Sequence, residues 1–178
     1  RFVFLVSIQS HGDYDMNPPE EDIVHAATDY GEYDSIMDEY LSNIYMTDRA
    51  FGELTEYLTE QYEKTGRKVI VAMAGDHAPS FVKHVADASF AATDNDLQLL
   101  QRSTPFFIWA NYDIGSQTGV EISANYLSAF ALDALGCSTS GFDELRLAAQ
   151  QSVPRINSYG YYLADGSWHD NETLSECE

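Results

Sequence analysis

Lys68-Val69-Ile70-Val71-Ala72-Met73-Ala74 runs directly into Gly75-Asp76-His77-Ala78-Pro79. The first seven residues have strand length, are nearly all apolar and are rich in β-branched side chains, the composition of a strand buried on both faces of a sheet. The next five open on glycine and close on proline, so the strand stops there and the chain turns. Asp76 and His77 therefore fall at the carboxyl end of a strand, the edge at which open α/β sheets bind ligands. A carboxylate followed by an imidazole offers one hard oxygen and one borderline nitrogen, a pair suited to manganese, zinc or magnesium. The same residues also fit a plain polar turn in which Asp76 caps the next backbone amides.

Two further runs share this character. Arg1 is followed by Phe2-Val3-Phe4-Leu5-Val6-Ser7-Ile8, and a later run covers Pro105 to Ala110. Between the first two runs, Tyr33, Ile36, Met37, Tyr40, Leu41, Ile44, Tyr45, Phe51, Leu54 and Leu58 recur three and four apart, which predicts a long amphipathic helix, unbroken or in two pieces. Asp34, Asp38, Glu39 and Glu53 then form its solvated face. A strand, a crossover helix and a second strand make a right-handed unit with parallel strands.

The expected class is therefore α/β, a mostly parallel sheet flanked by helices. Further helices are predicted over Ser123–Leu135, closed by Gly136, and over Phe142–Gln151, ahead of Pro154. A small C-terminal β-hairpin is predicted over Tyr159–His169, with Asp165-Gly166 as a type I′ turn. Residues 12–21 and 89–96 read as polar loops, and 1–178 as one unit. A chain that opens inside a strand is expected to be the later part of a longer protein.

Composition narrows the partners. With 29 acidic and 9 basic residues, the formal net charge is -20, which argues against a phosphate-backbone surface for DNA or RNA. The plain account of that charge is a solvated, self-repelling surface. An enzyme of this composition acting on phosphate or sulfate esters needs a local positive centre, and a bound metal supplies one. Cys137 and Cys177 form no metal-type pair, which leaves at most one optional disulfide. No run of about 18 apolar residues is present to span a membrane.

His11, in Ser7-Ile8-Gln9-Ser10-His11-Gly12, follows the first apolar run and so is expected on the same sheet edge as Asp76. An imidazole there could hydrogen-bond a phosphoryl oxygen or protonate a leaving group, or it could be a surface loop histidine. His25, His84 and His169 read as solvated side chains.

The order of Gln9-Ser10-His11-Gly12, a helix carrying Tyr45-Met46-Thr47-Asp48-Arg49-Ala50, and Gly75-Asp76-His77-Ala78-Pro79 resembles the lipoteichoic acid synthase-like branch of the sulfatase and alkaline phosphatase superfamily. Ser103–Asn111 resembles that branch's final core strand, and Ile122–Leu127 its following helix. A sibling branch, the phosphoethanolamine transferases, carries Ser-Asp-His-Gly-Glu where this chain has Gly-Asp-His-Ala-Pro.

The resemblance implies a partial sulfatase-like sandwich in which Asp76 and His77 ligate one divalent metal, manganese first and magnesium or zinc as alternatives. It implies that His11 lines the pocket for a glycerophosphate group. It also implies that the catalytic threonine and an acidic ligand lie upstream of Arg1, so no residue of this chain is assigned as nucleophile. Thr47 falls inside a helix and Thr104 ahead of a buried strand. Phosphoglycerol would pass from a phosphatidylglycerol-type lipid head group, through the threonine, to a polyol or glycan acceptor or to water. The implied location is the outer face of the bacterial cell membrane or the extracellular space, with the parent protein membrane-anchored. Two rival readings stand beside this one: a sulfatase or phosphodiesterase acting on a soluble ester, and a noncatalytic cell-wall binding module.

Overall fold

The computed structural model describes residues 1–14, 23–85 and 94–171. The loops predicted over 12–21 and 89–96 lie largely outside them, as does Cys177. The chain divides into two units, Arg1–Asn111 and Tyr112–Glu178. Among the described residues, no helix is long and apolar enough to cross a membrane.

In the first unit a short 3-10 turn leads into helix α1 (Asp34–Thr65), which is unbroken over 32 residues. It stops at Gly66, whose left-handed backbone (φ 69°) returns its N–H to the Tyr62 carbonyl. The side chains near its start do more than face solvent. Ser42 Oγ accepts the Ile23 and Val24 amides at 2.9 and 3.0 Å, and Asp38 Oδ1 accepts the Ala26 amide at 2.8 Å. Residues 38 and 42 lie one helical turn apart on one face, so they act as a polar ladder for the incoming segment. Asp34 accepts the Tyr30 amide at 2.7 Å, and Glu39 is only 5% exposed. The charged-face reading of Asp38 and Glu39 is corrected accordingly: Asp38 satisfies a backbone donor and Glu39 sits inside the fold, whereas Asp34 stays exposed as that reading expects.

Strands β1 (Ile70–Ala74) and β2 (Phe106–Ala110) fall where two of the apolar runs predicted them. They pair antiparallel, from Ile70 opposite Ala110 to Ala74 opposite Phe106. The mixed α/β class holds, and the parallel arrangement is corrected. The connection through α2 (Val82–Val85) and α3 (Asp94–Leu100) leaves β1 and re-enters β2 at the same end of the pair, whereas a parallel pair needs a crossover along its whole length.

The first apolar run is also corrected. Residues Arg1–Ile8 form no strand, and Phe2, Leu5 and Ile8 are 89%, 82% and 79% exposed. Apolar composition prepares a segment for a sheet, but strand structure also needs neighbours for its N–H and C=O groups, and no described strand pairs with this one.

Phe51 of α1 packs on one face of the strand pair, its ring centroid 4.6 Å from Phe107 and 6.5 Å from Trp109. Val71 and Met73, directly opposite Trp109 and Phe107, share that face. Asn111 ties helix and strands together. Its Oδ1 accepts the Val69 amide at 2.8 Å, and its Nδ2 donates to the Leu58 and Arg67 carbonyls at 2.9 and 3.1 Å.

In the second unit, α4 (Ala124–Ala134) and α5 (Gly141–Ser152) match the two predicted helices within a residue or two. Helix α5 starts in a capping box: Ser140 Oγ accepts the Asp143 amide, and Asp143 accepts the Ser140 amide in return. Ser123, just before α4, accepts the Ile156 amide at 2.6 Å and donates to the Ile156 carbonyl at 3.1 Å.

Strands β3 (Arg155–Ile156), β4 (Gly160–Tyr162) and β5 (Trp168–Asp170) form an antiparallel sheet, so the C-terminal hairpin is present with one extra strand. Its turn differs from the predicted type. A type I′ turn needs positive φ at both central residues, yet only Gly166 has it (φ 84°). Gly166 N–H bonds to the Leu163 carbonyl and Leu163 N–H to the Ser167 carbonyl, the pattern of a three-residue loop closed by a bulged glycine.

Two outcomes are expected. Asn111 is 8% exposed, and replacing it with alanine strands the Val69 amide and two carbonyls, so Asn111→Ala should cost about 1–3 kcal/mol. Urea unfolding of the first unit measures this, and an unchanged midpoint contradicts it. The Ser140 hydroxyl, the Ser140 amide and Arg146 hold the Asp143 carboxyl down at about 2. A depressed folded value stabilises α5 above the ordinary carboxylate range and loses that contribution as pH falls through about 2. Acid titration of helix content should therefore lose its lowest-pH component in Asp143→Asn.

Candidate functional site

The site is built at the end of β1. Beyond the last ladder pair, the Gly75 amide donates to the Pro105 carbonyl at 3.2 Å, and Thr104 Oγ1 donates to the Gly75 carbonyl at 2.8 Å. The two chains approach so closely that a Cβ on residue 75 would stand 3.0 Å from Thr104 Cβ. Glycine therefore favours this close approach through its missing Cβ rather than through its backbone, whose φ is not positive. This clasp fixes the point at which the chain leaves the sheet, and Asp76 and His77 come next.

Both side chains project into solvent, at 86% and 73% exposure. Asp76 Oδ1 accepts the amide of His77 at 2.9 Å, the cap that the turn reading predicted. Asp76 Oδ2 lies 3.6 Å from His77 Nε2. His77 Nδ1 is 3.1 Å from the Ala78 carbonyl. With the ring proton on Nδ1 donated to that carbonyl, Nε2 keeps its lone pair.

A carboxylate oxygen and an imidazole nitrogen 3.6 Å apart can share one cation with bonds of about 2.0–2.2 Å. The donor chemistry therefore fits a divalent metal, with two ligands. Among the described residues, no group of three or more His, Cys, Asp and Glu side chains gathers that could hold a metal ion.

His11 sits on a turn closed by its own amide, which donates to the Ile8 carbonyl at 3.1 Å. Its Nδ1 is 2.8 Å from the Gly12 carbonyl, and the ring is exposed. The link between this turn and the Asp76–His77 turn runs through Tyr14. The Tyr14 hydroxyl donates to the Ser10 carbonyl at 2.7 Å, and its ring stands edge-on to Tyr40 of α1 and to Phe81, at 5.4 and 5.6 Å. Phe81 is buried and lies four residues past His77. Burial first, and then the neighbouring Tyr40, raise the Tyr14 hydroxyl above its ordinary value.

The remaining candidates are also located. Thr47 donates to the Asn43 carbonyl at 3.0 Å within α1, and Thr104 is committed to Gly75, so both hydroxyls are engaged in structure. The three histidines read as solvated have partners: His25 pairs with Asp38 at 2.7 Å, His84 stacks on Tyr33 at 5.4 Å and His169 stacks on Tyr161 at 5.3 Å. The Ala26 amide first and His25 second hold the Asp38 carboxyl below its usual range.

The sequence patterns do not single out Tyr14, Thr104 or Phe81. Thr104 is marked only by lying two residues before β2, whose partner strand is followed by glycine. If the clasp carries the site, Gly75→Ala should destabilise the first unit by about 1–3 kcal/mol, because a pinned β-branched side chain must give way. Thermal unfolding tests this, and a midpoint equal to that of the unaltered chain contradicts it.

No curated protein and no solved structure matches the chain. A family model described as Sulfatase matches residues 1–137, well over half of the 178. The matched stretch contains the His11 turn, α1, the β1–β2 pair and the Asp76–His77 turn. The chain belongs to the sulfatase family, whose wider superfamily includes the alkaline phosphatases.

Proposed function

We propose that this chain is the later part of a metal-dependent phosphoglycerol transferase. The parent protein would move glycerophosphate from a phosphatidylglycerol-type lipid to a polyol or glycan acceptor at the outer face of the membrane. The observation that carries the reading is the contact between two turn-borne segments: Tyr14, three residues past His11, packs edge-on against Phe81, four residues past His77. In this reading that contact would bring the His11 turn and the Asp76–His77 turn to one site. Membership of the sulfatase family supports hydrolase or transferase chemistry on an ester of this general kind.

In this reading Asp76 and His77 hold one divalent cation, manganese first, with magnesium or zinc as alternatives. When bound there, such a cation would neutralise charge on a phosphoryl group and lower the pKa of an attacking hydroxyl. His77 is oriented for this by the Ala78 carbonyl. His11 offers a ring nitrogen to a phosphoryl oxygen of the glycerophosphate group. The nucleophile, a threonine by resemblance, and a further acidic ligand come from outside this sequence. The family match equally supports hydrolysis of a soluble sulfate or phosphate ester.

The full-length parent carrying Asp76→Ala should lose phosphoglycerol release from phosphatidylglycerol vesicles by about 100-fold or more in added manganese. Retained activity would refute the ligand assignment and favour the noncatalytic binding module. Turnover of aryl sulfates but not of phosphatidylglycerol would favour the soluble-ester hydrolase. The chain Arg1–Glu178 by itself should turn over neither substrate, and measurable turnover would show that it holds its own nucleophile.

A further inference from the structure

We propose that Tyr14 is the positioning residue of the His11 turn: its ring, wedged between Tyr40 and Phe81, and its hydroxyl, bonded to the Ser10 carbonyl, set where the His11 imidazole stands. The inference rests on the reading of His11 as a substrate-binding group, and it adds a residue that neither the motifs nor the family match assigns.

Three features converge on Tyr14. First, Tyr14, Tyr40 and Phe81 form a closed triangle of edge-on aromatic rings, with centroids 5.4, 5.6 and 5.6 Å apart. Edge-to-face contact is the favoured geometry for such rings, and a ring held on two sides has little freedom to swing. Second, the Tyr14 hydroxyl reaches back across the turn to Ser10, the residue just before His11, at 2.7 Å. A fixed ring with its hydroxyl on the backbone transmits its own position to the turn.

Third, residue 12 is fitted to that ring. A Cβ at Gly12 would meet Tyr14 Cε2 at 2.7 Å, inside the closest approach that real Cβ atoms make. A free tyrosine would swing aside cheaply, but this one is confined by Tyr40 and Phe81, so the backbone of the turn would have to move instead. The glycine after His11 thus lets the turn lie against the ring.

His11 itself is exposed and, among the described residues, its ring meets only the neighbouring Gly12 carbonyl in hydrogen-bonding range, so its own contacts do little to fix it. Its location is inherited from Tyr14. The aromatic triangle also joins the turn to Phe81, which lies on the chain leaving the Asp76–His77 turn.

The test uses the full-length protein with Tyr14→Ala and, as a milder change, Gly12→Ala. One readout is the rate at which diethyl pyrocarbonate modifies His11 at fixed pH, followed by peptide mass spectrometry. The other is the KM and kcat for phosphoglycerol release from phosphatidylglycerol vesicles. Both variants should change the His11 modification rate severalfold, and KM should rise severalfold while kcat stays near that of the unaltered protein, the pattern of lost substrate binding. Tyr14→Phe, which keeps the ring and loses the Ser10 bond, should fall between.

An unchanged His11 rate in Tyr14→Ala overturns the proposal whatever the kinetics show. Should Tyr14→Ala fail to fold, Gly12→Ala decides in its place: a changed His11 rate supports the proposal and an unchanged one overturns it. If no ester is turned over at all, a changed His11 rate still supports the positioning role while the transferase reading falls.

Discussion

The contact on which the rest of the first unit depends is the approach of Gly75 to Thr104 at the end of the β1–β2 pair. The strands stay paired past their last ladder residues because Thr104 donates its hydroxyl to the Gly75 carbonyl and glycine leaves room for it. At the opposite end Asn111 performs a matching task, pairing with Val69 and with carbonyls of α1 and the loop after it. A two-stranded ribbon is marginal alone in water. These polar anchors and the Phe51 packing give it a fixed length and a fixed exit point. Asp76 and His77 occupy that exit.

The chemistry of the site follows from where the exit points. Asp76 and His77 are exposed and, among the described residues, carry only local hydrogen bonds, so their remaining lone pairs face outward. In a chain of net charge -20, an unneutralised outward carboxylate repels an anionic ester. On the proposed reading, a cation bound by Asp76 and His77 would reverse that sign locally. On the same reading, the His11 turn would contribute a hydrogen-bonding ring, positioned by an aromatic contact rather than by charge. Selection for an anionic group would arise from a small positive centre inside an otherwise acidic surface.

Much of this is legible in the sequence, and the successes share a cause. β1, β2, α1, α4 and α5 are specified by local patterning, and the Asp-Gly hairpin by turn chemistry, so each appears within a few residues of its predicted place. The Gly-Asp-His motif can be set at a strand end because glycine and proline bracket it. The failures have a different origin. Whether Phe2–Ile8 forms a strand, and whether β1 and β2 run parallel, depends on partners distant in sequence, which an apolar run does not encode. Asp38 and Glu39 escape a sequence reading because a carboxylate's helical position does not reveal which backbone amide arrives beside it. Tyr14 is hidden in a stretch that looks like polar loop, since its role is visible only once Tyr40 and Phe81 are brought to it.

The central claim is that His11 and the Asp76–His77 couple surround one cation-dependent anion site. The most direct measurement is the histidine region of a proton–nitrogen correlation spectrum of the full-length protein during titration with manganese, whose unpaired electrons broaden nearby signals. The account predicts that the ring signals of His77 and His11 fade together at substoichiometric metal. Survival of the His11 signal while that of His77 is lost, or survival of both, would contradict it.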